Sequence, residues 1–163
     1  MNSENWREIE RKFLVKGDFK PFALKSVVII QGYLSSVPER NVRVRLCGDR
    51  GWLTVKGLSR DGGISRFEWE KEISPEEARL LFPLCEPGII EKRRYLVPVG
   101  SHVYEVDEFY GENAGLILAE IELKKAGEPF VRPDWLGQEV SGDARYYNSY
   151  LAGHPYRKWK NEK

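Results

Sequence analysis

Charged residues recur at every second position in the stretch "EIERKF" near the start of the chain. Glu8, Glu10 and Lys12 alternate there with Ile9 and Arg11. In a β-strand, residues two apart point to the same side, so these three charges would share one face. Carboxylates suit a hard divalent cation, and an ammonium group suits a phosphoryl oxygen. The stretch leaves two alternatives, a charged site or the solvated face of an ordinary sheet.

Other strand-like stretches repeat this alternation, and several of their charged pairs carry a single sign. The basic positions are Arg43, Arg45, Lys56, Lys92 and Arg94, and the acidic positions are Glu68, Glu70, Glu105, Asp107, Glu120 and Glu122. Like charges two apart on a strand repel each other, so a merely solvated surface would mix the signs more often. Segregation by sign therefore favours a site over an ordinary exposed face.

The residues that alternate with these charges include large apolar side chains. They are Val42, Val44, Phe67, Trp69, Ile121 and Leu123. Their side would form the core, so a sheet that curls with its charged face inward would enclose a polar lumen. Clustered Arg and Lys bind phosphoryl oxygens, and clustered carboxylates bind Mg²⁺ or Mn²⁺. Both together fit a metal-bridged polyphosphate.

Eight predicted strands position these charges, separated by turn signals such as "GDRG" and "SRDGG". They cover residues 7–15, 26–34, 41–47, 51–56, 64–73, 89–97, 102–109 and 116–124. Most are linked as hairpins and are therefore antiparallel, which favours an α+β fold with an eight-stranded closed barrel, a charged lumen and helices packed outside. An open α+β sheet is the alternative.

Two helices are expected beside these strands. The first begins at "SPEEARLLF", with Ser74 as the N-cap and Pro75 at the first helical position. The second covers about 143–152, and the polar tail "RKWKNEK" is expected to fray.

Length and composition narrow the class of protein. The 163 residues predict a single domain over 1–163, with the last helix and a tail over 153–163 as part of it. The net charge of +1 argues against a basic coat for nucleic acid. Cys47 and Cys85 give no disulfide framework, and no stretch approaches the ~18 apolar residues of a membrane span. We expect a cytoplasmic protein with neither a nucleic-acid nor a membrane partner.

An ordered series of motifs resembles the triphosphate tunnel metalloenzymes, also called the CYTH superfamily. "EIERKF" is similar to their ExExK signature. It is followed in the expected order by "QGYL", "VRVR", "LTVKG", "SRFEWEKEI", "EKRRYLV", "EVDEFYGENAGLILAEIEL" and "VSGDARYYNSYLA". The resemblance covers about Glu8 to Ala152. The order of the motifs is similar to that in the short bacterial members of the superfamily. It implies a tunnel-shaped antiparallel barrel and Mg²⁺- or Mn²⁺-dependent hydrolysis of a triphosphate, most typically inorganic tripolyphosphate.

The resemblance also implies roles for individual residues. It assigns the metal to Glu8, Glu10, Glu120 and Glu122 with Asp107 as a helper, the triphosphate clamp to Arg43, Arg45, Lys56, Lys92 and Arg94, and water or second-metal positioning to Glu68 and Glu70. Lys12 and Tyr33 resemble a Lys–Tyr pair near the scissile phosphate, which makes both catalytic candidates. Read from the residues alone, a strand-borne Tyr is more often a core residue.

Other residues are expected outside the site. Arg11, Lys71 and Arg93 lie on the opposite alternation, and Tyr146, Tyr147 and Tyr150 would pack the last helix onto the barrel. His102, His154 and the two cysteines are expected to be structural. An adenylate cyclase of the same superfamily, a nucleotide or thiamine triphosphatase, and a non-catalytic polyphosphate-binding module stay open as alternatives, as does a homodimer.

Overall fold

In the computed structural model, which describes residues 7–161, nine strands form one continuous antiparallel sheet. The strands are β1 (Arg7–Val15), β2 (Lys25–Ser35), β3 (Asn41–Cys47), β4 (Arg50–Arg60), β5 (Ser65–Ile73), β6 (Ile90–Val99), β7 (His102–Phe109), β8 (Ile117–Glu122) and β9 (Leu136–Glu139). Their order in the sheet is β5-β4-β3-β2-β6-β7-β8-β1-β9, with an additional pairing of β5 with β1.

Strand β1 closes the barrel because its two halves pair with different strands. Glu8 lies opposite Arg66 of β5, whereas Glu10 and Lys12 lie opposite Glu122 and Glu120 of β8. The predicted eight-stranded closed barrel is confirmed, and the alternative of an open sheet is wrong.

Strand β9 was missing from the sequence prediction. Its four residues are too short for a clear alternation, and they pair with the end of β1 next to a register shift between Phe13 and Val15. Arg11 holds this strand in place, because its Nε donates to Glu139 Oε2 at 2.8 Å. Arg11 therefore lies on the outer face, as predicted.

The core has two parts. One cluster, on the outer side of the barrel wall, contains Phe13, Val106 and Ile121 with Trp135. The second contains Phe109 and Leu118, which share the inward alternation of Asp107 and Glu120, and packs with Leu151 inside the barrel. Among the apolar residues predicted on the outer side, Val44, Ile121 and Leu123 are buried, while Val42 and Trp69 are half-buried and Phe67 is exposed. The core is therefore deepest where segments outside the barrel cover β1, β7 and β8.

The first helix, α1 (Pro75–Leu81), begins where the sequence predicts. Ser74 Oγ accepts from Glu77 N and Glu77 Oε1 accepts from Ser74 N, which completes a capping box. The helix packs on the outer face, where a Cβ on Gly51 would come within 3.2 Å of Ala78 Cβ. A 3₁₀ turn, Phe82–Leu84, follows it.

The predicted second helix over 143–152 is wrong as a single element. Tyr147 has extended backbone angles, φ −72° and ψ 136°, and separates the 3₁₀ turn Ala144–Tyr146 from α2 (Asn148–Gly153). The sequence predicts that the tail frays. The structure instead has a 3₁₀ helix over Tyr156–Asn161. The ring of Trp159 packs edge-on against Tyr146, and its Nε1 donates to the carbonyl of His154. No helix within the described residues is both long and apolar enough to cross a membrane.

Candidate active site

Charged side chains from most of the barrel strands line a cavity inside the barrel. Its empty space is about 530 Å³, part of it open to solvent. The predicted site residues on its wall are the cations Lys12, Arg43, Arg45, Lys56, Lys92 and Arg94, the carboxylates Glu10 and Glu120, and Tyr33. Residues of one sign on a strand reach the lumen together because successive side chains alternate between the two faces.

Lys56 joins the carboxylates of β1 and β5. Its Nζ lies 2.8 Å from Glu8 Oε1 and 3.3 Å from Glu68 Oε2. Burial raises the pKa of Glu8, but the Lys56 charge and hydrogen bonds from Glu68 and Lys56 outweigh it and lower that pKa to about 2. Burial and the neighbouring Glu8 raise the pKa of Glu68 to about 7. Lys56 therefore favours the ionised form of Glu8, whereas Glu68 binds its proton more tightly than an ordinary glutamate does.

Lys12 connects β1 to β8 and to the carboxyl-terminal segment. Its Nζ lies 3.3 Å from Glu120 Oε1 and donates to the carbonyl of Tyr146 at 3.1 Å. Burial opposes the charged form of Glu120, yet Lys12 and Arg94 outweigh burial and hold its pKa well below 4.5. Lys12 and Tyr33, the predicted pair near the scissile phosphate, both line this cavity.

Asp107 lies beneath two of the clamp cations. It is 2% exposed and accepts from Arg94 Nε at 2.8 Å and Nη2 at 2.9 Å, while Lys92 Nζ approaches within 2.7 Å. Arg94 and Lys92 outweigh burial and lower the pKa of Asp107. Burial lowers the pKa of Lys92 to about 7, and Asp107 only partly opposes this shift. In this structure Asp107 is therefore an ion-pair partner of Lys92 and Arg94.

The two arginines of β3 differ in their partners. Arg43 Nη2 donates to Thr54 Oγ1 at 3.3 Å and lies 3.8 Å from Glu70, whereas its buried Nε has no hydrogen-bond partner in the part of the chain that the structure describes. Arg45 Nε donates to Gln31 Oε1 at 3.0 Å. Burial, with Arg43 and Arg94 nearby, lowers the pKa of Arg45 to about 9. A bound anion would accept a hydrogen bond from the unpaired Arg43 Nε and would reduce the repulsion among the neighbouring arginines.

The donor set fits a divalent cation, although no preformed cage is present. Among residues 7–161, no group of three or more acidic, His or Cys side chains converges on one point. Glu10 nevertheless lines the cavity with no ion-pair partner in the described part of the chain, and burial together with Glu120 and Glu8 raises its pKa well above 4.5. Burial, Glu8 and Glu105 also raise the pKa of Glu122, which lies opposite Glu10. A hard cation among these oxygens would remove the repulsion that raises both pKa values.

The carboxyl-terminal segment lies at one end of the cavity. Tyr147, Asn148 and Ser149 form part of the wall, and Asn148 Oδ1 accepts from Lys92 Nζ at 2.8 Å. Lys12 Nζ lies 5.5 Å from the centre of the Tyr147 ring. Tyr147 was predicted to pack the last helix onto the barrel, but it lines the cavity. Tyr146 packs against the second core cluster.

The same fold and lumen occur in known proteins. The CYTH domain family model matches residues 7–147. The chain belongs to the CYTH domain family. It is 49% identical over 155 residues to a protein of Acetivibrio thermocellus named inorganic triphosphatase, with 94% of this chain and 98% of that protein covered. It is 38% identical over 150 residues to a protein of the same name from Nitrosomonas europaea, with 89% and 96% covered.

Solved structures agree with this CYTH fold. The crystal structure of the inorganic triphosphatase NE1496 has a TM-score of 0.60 at 34% identity and covers 89% of this chain and 97% of its own. The structure of HpAC1 from Hippeastrum, described as a putative adenylyl cyclase with a dominant triphosphatase activity, has a TM-score of 0.59 at 16% identity and covers 72% and 80%. The latter likeness is one of fold alone.

Some residues of this CYTH cavity were missed from sequence. Arg66 lines the cavity, and the signal was available, because Arg66 shares the alternation of Glu68 and Glu70 on β5. Gln31 and Asn148 are uncharged, so a search for charged alternation passes over them. Glu8, Glu68, Glu70 and Asp107 contact the cations but are not on the cavity wall. Glu122, opposite Glu10, is exposed and also not on the wall.

Proposed function

We propose that this CYTH protein hydrolyses inorganic tripolyphosphate to pyrophosphate and phosphate inside its barrel. The single observation that carries the proposal is the cavity itself, in which Lys and Arg side chains from β1, β3, β4 and β6 converge within a closed wall. Relatives at 49% and 38% identity that bear the name inorganic triphosphatase support the same substrate.

The clamp cations suit a linear polyanion better than a single phosphate. Arg43, Arg45 and Arg94 offer planar forks of donors, and Lys56 and Lys92 offer point charges. Several of these cations are held by carboxylates in the protein alone, for example Lys56 by Glu8. A bound polyphosphate would compete for these cations, and the carboxylates released in this way would be free to hold a divalent cation. Preorganised charge of this kind stabilises negative charge that develops on the transferred phosphoryl group.

The carboxylates of β1 and β8 are proposed to hold Mg²⁺ or Mn²⁺. Glu8, Glu10, Glu120 and Glu122 would supply the oxygens, Asp107 would assist, and Glu68 and Glu70 would position water or a second ion. When bound, such a cation neutralises phosphate charge and lowers the pKa of a bound water. The raised pKa of Glu10 supports this assignment, because the carboxylate is buried beside Glu120 and Glu8 and has no ion-pair partner among the described residues.

Lys12 and Tyr33 are proposed to act on the scissile phosphoryl group from separate positions. Glu120 and the carbonyl of Tyr146 hold the Lys12 ammonium group at the cavity wall, where it can contact a phosphoryl oxygen. Tyr33 is buried and is one of the residues that line the cavity. We assign charge stabilisation to Lys12 and hydrogen-bond donation to Tyr33.

Phosphate release from tripolyphosphate, ATP, pyrophosphate and thiamine triphosphate, each with Mg²⁺, Mn²⁺ or EDTA, tests the proposal. We expect tripolyphosphate to be the best substrate and EDTA to stop turnover. Cyclic AMP as the main product from ATP would indicate a cyclase instead, and tight binding with no product under any metal would indicate a binding module. No observation on the described residues favours either alternative. The cytoplasmic location, the homodimer, the lack of a nucleic-acid or membrane partner and the single domain over 1–163 stay predictions.

A further inference from the structure

Gln31 of β2 is the centre of a hydrogen-bond network beside the cavity and is fully buried. Its Oε1 accepts from Arg45 Nε at 3.0 Å. Its Nε2 donates to Tyr33 Oη at 3.3 Å and to Asn148 Oδ1 at 3.0 Å. Both N–H groups and the carbonyl oxygen are thus used, so the amide is held in one orientation.

Arg45 decides which way this amide faces. A guanidinium group can only donate, so the atom of Gln31 beside Arg45 Nε must be the oxygen. The Gln31 nitrogen then faces Tyr33, and the tyrosine oxygen accepts. The hydroxyl hydrogen of Tyr33 has no acceptor within residues 7–161 and stays available to a molecule in the cavity that Tyr33 lines.

The same contact sets the direction of the Arg45 fork. Arg45 has no carboxylate within ion-pair distance among the described residues, in contrast to Lys12, Lys56, Lys92 and Arg94. Gln31 binds its Nε and leaves both Nη groups for the cavity. A guanidinium group that is fixed at Nε and free at both Nη atoms matches the two oxygens of a phosphoryl group.

We propose that Gln31 is a positioning residue that aims the Arg45 fork at a phosphoryl group and turns the Tyr33 hydroxyl group into a hydrogen-bond donor towards the substrate. This proposal rests on the proposed triphosphatase function. The structure assigns this role through two hydrogen bonds in series. Arg45 donates to Gln31, and Gln31 donates to Tyr33. Any buried amide needs hydrogen-bond partners, but Arg45 and Tyr33, two partners of Gln31, line the cavity.

Gln31→Glu tests the Tyr33 half of the proposal. A carboxylate still accepts from Arg45, but it also accepts from Tyr33 and so takes the hydroxyl hydrogen away from the substrate. We expect kcat for tripolyphosphate to fall about tenfold, as with Tyr33→Phe, because one hydrogen bond to a charged group is lost. In the Tyr33→Phe background, Gln31→Glu should have little further effect on kcat. Multiplicative losses in the double variant, or a wild-type kcat in Gln31→Glu, would overturn this half.

Gln31→Leu tests the Arg45 half. Without the amide, Arg45 Nε loses its acceptor and the fork is no longer fixed, so we expect KM to rise about tenfold or more. Asn113→Leu is the matched control, because it removes a buried amide that binds Tyr156 N outside the cavity. The control should lower the Tm while KM and kcat stay at wild-type values. If Gln31→Leu does not fold, the unbranched Gln31→Met replaces it, and a wild-type KM in the folded variant overturns this half.

Failure of the proposed function gives a different result from failure of this proposal. If the wild-type protein releases no phosphate from tripolyphosphate, the proposed function is disproved. The orientation of Arg45 by Gln31 is then tested by measuring the affinity for tripolyphosphate. Titration calorimetry with tripolyphosphate should then show weaker affinity for Gln31→Leu than for wild type and Asn113→Leu. Equal affinity in all three proteins, or no binding to any of them, would overturn the role of Gln31.

Discussion

At the scale of single residues, most of the charged side chains in and around the cavity form ion pairs with oppositely charged neighbours, and a few do not. Lys56, Lys92 and Arg94 are neutralised by carboxylates behind them, whereas Glu10 has no cation and Arg45 has no carboxylate among the residues described. The unpaired groups are therefore the ones that a metal and a polyphosphate satisfy with the least rearrangement. They are also the residues whose replacement separates function from stability.

Glu10→Gln should reduce metal-dependent phosphate release by about 100-fold or more while leaving the Tm equal or higher. The activity falls because a metal ligand is lost, and the fold gains because the repulsion from Glu120 and Glu8 is removed. Initial rates and thermal unfolding measure the two effects. Glu91→Gln, on the exposed outer face of β6, is the matched control and should change neither quantity. Full activity in Glu10→Gln would remove this residue from the metal site.

Arg66→Ala should raise KM for tripolyphosphate about tenfold with a smaller effect on kcat. Arg66 lines the cavity, its Nε donates to the carbonyl of Gly57 at 3.1 Å, and it has no carboxylate partner among the residues described. Both of its Nη groups are therefore available to the polyanion. Arg93→Ala removes an arginine of the outer face, which donates to Ser26, and serves as the control. Equal KM values for the two variants would place Arg66 outside the substrate site.

At the scale of elements, the strands were more predictable than the segments that cover them. Alternation within β1, β3, β5 and β8 identified the inward charges, because successive side chains of a strand point to opposite sides of the barrel wall. The segment 144–153 follows no such rule. Tyr147 takes extended angles that place its ring near Lys12, so helical spacing predicted one helix where a turn and a shorter helix occur. Strand β9 was missed because four residues carry too little pattern.

The ion pair that holds strand β9 predicts how the free energy of unfolding depends on pH. Burial of Glu139 is outweighed by its hydrogen bond from Arg11, so its folded pKa lies below 4.5. The pair therefore stabilises the fold above the unfolded pKa, and this contribution is lost as the pH falls through the lowered folded value. Arg11→Gln should lower the unfolding free energy at neutral pH by about 1 kcal/mol or less, since both side chains are partly solvated.

Urea unfolding of wild type and Arg11→Gln over a range of acidic to neutral pH measures this difference. The gap between the two proteins should be constant near neutrality and should close at acidic pH. A gap that stays the same at acidic pH would show that Glu139 does not carry the effect. Kinetic constants should be unchanged, because Arg11 lies outside the barrel.

At the scale of the whole molecule, the closed wall holds cations and carboxylates close together in a lumen that is largely shielded from water. The barrel, the inward face of each strand and the position of the clamp cations could be predicted from the alternation of residues such as Arg43 and Arg45. The hydrogen-bonding role of Gln31 and the contact of Asn148 with Lys92 could not, since they depend on which neutral side chains meet across the lumen.

Tripolyphosphate should also stabilise the folded protein, because it binds the cavity only when the barrel is closed. At a concentration 100 times the Kd, binding adds about 2.7 kcal/mol to the unfolding free energy. Thermal unfolding at rising tripolyphosphate concentration, with EDTA present to prevent turnover, measures this effect. An unchanged Tm for wild type, or the same increase for wild type and Arg43→Ala, would contradict binding inside the lumen.

The most direct test of the central claim is phosphorus NMR of tripolyphosphate incubated with the wild-type protein and Mg²⁺ or Mn²⁺. The account predicts that the substrate signals are replaced by equal amounts of pyrophosphate and phosphate, and that EDTA prevents the change. No conversion with either metal, or conversion that continues in EDTA, would contradict the claim that this barrel is a metal-dependent tripolyphosphatase.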